Sequence, residues 1–212
     1  LNAGKHVLCE KSLACNAAEA KEMNQVAKDK RLVLMDAFHY RYHPLFARMK
    51  NIVDSGKLGM IESIDAAFHI PVTDPDNIRM NYHLGGGVTM DIGCYPLSMS
   101  RLLVGCLQGK TFSNPVSMKI ESELNIDGVD LNSSAELQFD DGSIANIASA
   151  VNKKTESSVT ISDGIKTVFI DQPWHCGEFT KRRSTIVVSD QEDNRVNYEV
   201  ISTKDIYALE IE

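Results

Sequence analysis

The feature that most constrains this chain is a strand–helix–strand run at its start. Lys5 to Cys9 is short and mainly apolar, Asn16 to Lys28 carries Ala17, Ala20, Met23 and Ala27 at helical spacing, and Arg31 to Ala37 is almost continuously apolar. A helix between two buried strands implies a parallel βαβ unit, whose ligand crevice lies beyond the carboxyl ends of the strands. Glu10-Lys11 and the segment Asp36 to Tyr40 follow those two ends. Leu1-Asn2-Ala3-Gly4 reads as the close of a helix with a glycine cap, so further sequence is expected upstream.

After residue 38 the pattern changes. A helix begins at Pro44, buries Leu45, Met49, Ile52 and Val53, and stops near Ser55-Gly56. Strand-like runs then follow at 61–70, 135–139, 144–150, 158–162, 167–170, 185–188 and 196–201, with turns such as Asp140-Asp141-Gly142 and Asp163-Gly164 joining neighbours as hairpins. One helix, Val88 to Val104, interrupts them. The expected fold is the C-terminal part of an α/β Rossmann domain (1–38), then an α+β domain (39–212) on a large open, mainly antiparallel sheet. Helices on one face of that sheet leave the other to be hidden, for which a homodimer or higher homo-oligomer is the expected solution.

A net charge of -7, with basic residues scattered among acids, argues against a nucleic-acid partner. The dense basic run Lys181-Arg182-Arg183 reads as a solvated turn. No stretch approaches the ~20 apolar residues of a membrane span, and the five scattered cysteines form no C-x-x-C pair. The expectation is a soluble, cytoplasmic protein with reduced thiols.

Three clusters carry candidate chemistry. Lys11, at the crevice end of its strand, either orients a hydroxyl or carbonyl or is a solvated strand-end charge. In Gly85-Gly86-Gly87-Val88-Thr89-Met90-Asp91-Ile92-Gly93-Cys94-Tyr95-Pro96 a glycine loop delivers a helix start. The four-residue spacing of Asp91 and Tyr95 stacks them on one helical face. A phenol with an ordinary pKa of about 10 needs a cation such as Lys11 to work as a base near neutrality. The competing reading has Asp91 capping the helix and Tyr95 as a core aromatic. The glycines are not a dinucleotide fingerprint, because Met90 stands where its third glycine belongs. Phe38-His39-Tyr40-Arg41-Tyr42-His43-Pro44 suggests a nicotinamide wall; without acidic ligands at metal spacing, no metal is expected there. Trp174 is either a packed anchor or a substrate-stacking wall. His69, Asn77, Arg79, Tyr82 and His83 are candidates for lining the substrate side.

Taken together, Gly4 to Lys11, Phe38 to Pro44, and Gly85-Gly86-Gly87 leading into Asp91 to Pro96 resemble the glucose-fructose oxidoreductase / inositol dehydrogenase (Gfo/Idh/MocA) family, a likeness that runs on through Gly128-Val129-Asp130 and Pro173-Trp174. Tyrosine at position 95, where inositol dehydrogenases have histidine, is similar to the dihydrodiol and aldose dehydrogenase branch. The resemblance implies an oxidoreductase using NADP or NAD on a sugar, polyol or trans-dihydrodiol. It implies Lys11, Asp91 and Tyr95 as catalytic residues and Glu10 and Arg41 beside the cofactor's nicotinamide; the position of the residues adds Lys11 and His39 to the cofactor side and Tyr82, His83 and Trp174 to the substrate side. Ser12 stands where the family motif has proline. A non-catalytic cofactor-binding sensor of the same fold and a structural dimerisation module are the alternatives.

Overall fold

The computed structural model describes residues 1–153, 156–175, 183–202 and 204–211. The first strand, β1 (Val7–Glu10), pairs in parallel with β2 (Leu34–Ala37), and α1 (Ala17–Lys30) joins them. Asn16 caps α1: its Oδ1 accepts from the amides of Ala18 and Glu19, while its Nδ2 donates to Glu19 Oε1, so two otherwise orphaned helix donors are satisfied. Arg31, in the left-handed region at φ 54°, ends the helix. That turn takes up residues 31–33, which is why β2 starts later than the apolar run suggests.

His39 to Tyr42 forms a 3-10 turn, and α2 (Pro44–Asp54) follows. His43 caps it, Nδ1 accepting from the Leu45 amide, and Pro44 supplies a pre-set first turn. Next come β3 (Ser63–His69), two 3-10 turns at 78–80 and 82–84, and α3 (Cys94–Leu107). The remaining elements are β4 (Ser117–Leu124), β5 (Asp130–Gln138), β6 (Ile144–Ala150), β7 (Ser158–Ser162), β8 (Lys166–Asp171), β9 (Arg183–Asp190), β10 (Arg195–Ile201) and α4 (Ile206–Ile211).

Among the described residues, eight strands form one sheet in the order β10-β9-β8-β7-β3-β6-β5-β4. Within it only β3 and β6 run parallel; every other neighbouring pair is antiparallel. Along β3, Ile64, Ala66 and Phe68 turn into the core while Asp65, Ala67 and His69 face the other way, as period-two alternation requires. The inward face packs against α2 and α3 through Leu45, Met49, Ile52, Val53, Met99 and Leu103. The large open, mainly antiparallel sheet expected from the sequence is therefore present, extended by β4, a wholly exposed edge strand.

The helix expected from Val88 is not uniform. Residues 89–93 form a π-helical turn before α3 begins, and Gly93 lies where a Cβ would come within 2.9 Å of Ser149 Oγ on β6. No helix of the described residues is long and apolar enough to cross a membrane. Cys9, Cys15, Cys94 and Cys106 are free thiols; Cys176 and the basic run's Lys181 and Arg182 lie outside the described residues.

Candidate active site

The crevice end of β1 and β2 meets the glycine loop. Gly87 has φ 126°, and Cβ atoms at Gly86 and Gly87 would approach within 2.6 Å of the Arg79 carbonyl and 2.1 Å of Asp130 Oδ1. At Gly86 the obstacle is backbone, which leaves room only for hydrogen, and at Gly87 a side chain would need both an unfavourable positive φ and a shift of the Asp130 carboxylate. The loop is held by its own amides, Gly86 N donating to Asn81 O and Gly87 N to Arg79 O. Asp130 Oδ2 accepts from Thr89 N at 2.8 Å, so Asp130, and not Asp91, caps this turn.

Asp91 is thereby free to serve another partner. Lys11 Nζ donates to Asp91 Oδ1 at 2.8 Å and to its backbone carbonyl at 2.7 Å, and Arg79 Nε donates to Asp91 Oδ2. Burial would raise the Asp91 carboxyl, but hydrogen bonds and charge from Lys11 and Arg79 outweigh it and hold the group below the ordinary carboxylate value. The peptide Lys11–Ser12 is cis, and Ser12 Oγ donates to the Met90 carbonyl at 2.8 Å. Lys11 is therefore an ion-paired group tied to the glycine-loop segment, not a solvated strand-end charge.

Tyr95, at the start of α3, lies beside this pair. Its ring centroid is 5.5 Å from Lys11 Nζ, and its hydroxyl is 3.0 Å from His39 Nε2. Asp91 and Tyr95 thus both border Lys11. The expected depression of the Tyr95 pKa does not hold. Burial pushes the phenol well above its ordinary value, and Cys94, Tyr207, Glu10 and Asp91 push the same way. Lys11 has its charge balanced by Asp91, and Tyr95 keeps its proton at neutral pH. Burial likewise pushes the Cys94 thiol up to about 11.

Trp174 is fully buried, its indole nitrogen donating to the Ala67 carbonyl at 2.7 Å. It stacks on Phe68 and meets the edges of Tyr40 and Tyr95, so it is a packed anchor beneath Tyr95 and the substrate-wall reading is corrected. Tyr82 and His83 sit on an exposed 3-10 turn and do not join the Lys11 cluster. Arg79 is the substrate-side candidate that does reach it. Arg41 turns inward, donating to Ser98 Oγ at 2.7 Å and lying over the Phe38 ring. Ser98 also bonds the Tyr40 hydroxyl; an α3 serine gave no sign of this in the sequence. Glu10 lies exposed at the end of β1.

Five buried side-chain polar atoms have no protein partner among the described residues; two of them are Ser184 Oγ and Glu210 Oε1, and the other three, Asp36 Oδ1, His39 Nδ1 and Arg41 Nε, all lie at or just after the carboxyl end of β2. Unsatisfied buried groups of this kind are costly unless a polar ligand completes them, so these residues fit a nucleotide cofactor. Among the described residues no group of three or more His, Cys, Asp or Glu is placed to hold a metal ion.

Residues 46–163, more than half of the chain, match the GFO/IDH/MocA C-terminal domain. The chain belongs to the GFO/IDH/MocA family. It is 38% identical over 105 residues to dTDP-3,4-didehydro-2,6-dideoxy-alpha-D-glucose 3-reductase of Streptomyces violaceoruber, covering 50% of this chain and 31% of that one. It is 31% identical over 215 residues to D-xylose 1-dehydrogenase (NADP(+)) 2 of Haloferax volcanii, covering 99% and 61% respectively. The chain thus spans less than two thirds of these GFO/IDH/MocA relatives. Its fold superposes with a TM-score of 0.83 on a 3-ketoreductase from Actinomadura kijaniata in complex with NADP and TDP-benzene, at 23% identity, over 99% of this chain and 62% of the other.

Proposed function

We propose that this chain is the catalytic and substrate-binding part of an NADP- or NAD-dependent oxidoreductase acting at the carbinol or carbonyl carbon of a sugar, polyol or trans-dihydrodiol. Residues 1–38 then belong to the dinucleotide-binding domain, and residues 39–212 form the substrate domain and a homodimer interface. The observation that carries this reading is the joining of Lys11, Asp91, Tyr95 and His39 at the carboxyl ends of two parallel strands. NADP is favoured over NAD because relatives named for their cofactor use NADP(+).

The nicotinamide, when bound, supplies or accepts hydride at its C4. Glu10, Lys11, His39 and Arg41 are the residues proposed to hold it. Asp91 fixes Lys11 Nζ, so that a cation stands beside the Tyr95 ring where the substrate oxygen would sit. The buried phenol holds its proton and is an acid first, able to protonate a carbonyl oxygen as hydride arrives. Trp174, Phe68 and Phe38 pack around that ring and fix its direction.

The test is absorbance of the reduced nicotinamide with the full-length protein, offering NADPH and NADH with keto sugars, then NADP and NAD with aldoses, inositols and a trans-dihydrodiol. Turnover of one pair supports the proposal. Tight NADPH binding without turnover of any pair overturns it.

A further inference from the structure

We propose that His39 is the proton relay for Tyr95, the pair forming the path by which the proton of the substrate hydroxyl leaves or enters the site. The inference rests on the oxidoreductase reading and deepens it. The Tyr95 hydroxyl lies 3.0 Å from His39 Nε2, and the His39 ring is wedged between Tyr95 and Tyr207, with centroids 5.5 and 5.0 Å away. Position and environment both suit a relay. His39 opens the 3-10 turn that follows β2, so its backbone is fixed by the strand end, and α4 packs against that turn.

A relay resolves a difficulty that the geometry creates. A phenol buried among Phe38, Tyr40, Phe68 and Trp174 does not ionise in advance, so Tyr95 alone cannot accept a proton from an alcohol. It can do so if it passes its own proton on as it receives one. In oxidation the carbinol carbon loses hydride to the nicotinamide, and the substrate O–H bond breaks with its proton moving to the Tyr95 oxygen. The Tyr95 O–H bond breaks with its proton moving to His39 Nε2, leaving a carbonyl and an imidazolium. Reduction runs the same transfers backwards: a proton from a solvent water charges the ring, and the imidazolium reprotonates Tyr95 through Nε2 as Tyr95 protonates the carbonyl oxygen.

The ring facing Tyr95 must be neutral to accept. Burial is the largest influence on it, and the charges of His175, Lys11 and His43 act in the same direction against Asp205, which favours the cation; together they lower the His39 pKa to about 4. Such an imidazolium is short-lived and gives up its proton from Nδ1, the ring atom with no protein partner among the described residues, to a solvent water that the relay requires as its acceptor.

Nitrogen NMR of the full-length protein, labelled in histidine, tests the pair without turnover. At neutral pH the expected result is a neutral ring with the proton on Nδ1 and an Nε2 signal that moves in Tyr95→Phe. An imidazolium at neutral pH, or an Nε2 signal indifferent to Tyr95→Phe, overturns the relay. Turnover of the best substrate from the panel above separates a relay from a scaffold. His39→Gln, which keeps a hydrogen bond but cannot carry a proton, should lose about 100-fold, and free imidazole should restore part of the rate to His39→Ala. If His39→Gln keeps turnover within about twofold while Tyr95→Phe abolishes it, the relay is wrong and the oxidoreductase reading survives. If no pair turns over in the unaltered protein, both fall.

Discussion

Replacing Asp91 with asparagine isolates what the carboxylate does for the fold. The amide side chain would keep the shape and one acceptor oxygen, and Lys11 would keep its bond to the backbone carbonyl at this position, so only the negative charge shared by Lys11 and Arg79 is removed. Losing one partner of a fully buried pair costs ~3–5 kcal/mol. Here the Lys11 and Asp91 side chains are each 17% exposed and that of Arg79 is 37% exposed, so solvent screens the arginine's share and the surviving bonds offset more. A loss of about 2 kcal/mol is expected, lowering Tm by about 4–8 °C for a chain of this size. Because the folded carboxyl is held below its ordinary 3.8, its stabilisation is complete above that value and is lost as pH falls through the folded pKa. Urea denaturation of both proteins across pH should therefore show a gap near neutrality that closes in acid. Equal stability at neutral pH, or a gap that persists undiminished into acid, would refute the argument.

Gly87→Ala forces a left-handed backbone on alanine and drives its Cβ into Asp130, displacing the cap on Thr89; a loss of about 2–4 kcal/mol is expected, and an unchanged melting temperature would contradict it. Trp174→Ala empties a fully buried site and orphans the Ala67 carbonyl, which should lower stability by about 3–5 kcal/mol in chemical denaturation, with Trp174→Phe losing less.

What the sequence disclosed followed from what is local. The helical spacing from Asn16, the proline start at Pro44 and the apolar run at 61–70 are each set within a few residues, and the structure has α1 (Ala17–Lys30), α2 (Pro44–Asp54) and β3 (Ser63–His69) there. The glycine loop stood out, but its purpose did not, since the Arg79 carbonyl and Asp130 that crowd it arrive from other parts of the chain. Strand β4 escaped notice because Met118, Ile120 and Leu124 alternate on an exposed edge instead of filling a core. At the site, three motifs brought Lys11, Asp91 and Tyr95 together correctly as neighbours. Their electrostatics were misjudged, because burial of Tyr95 by Phe68 and Trp174, which sets its pKa, is a tertiary property. The same burial decides between the two readings of Trp174.

The central claim is that Tyr95 handles the proton while the nicotinamide handles the hydride. Single-turnover absorbance of full-length Tyr95→Phe, with NADPH and the keto substrate found by the panel, tests it most directly. Loss of hydride transfer by about 100-fold or more, with folding and NADPH affinity unchanged, is the predicted result. Hydride transfer at the rate of the unaltered protein would contradict it.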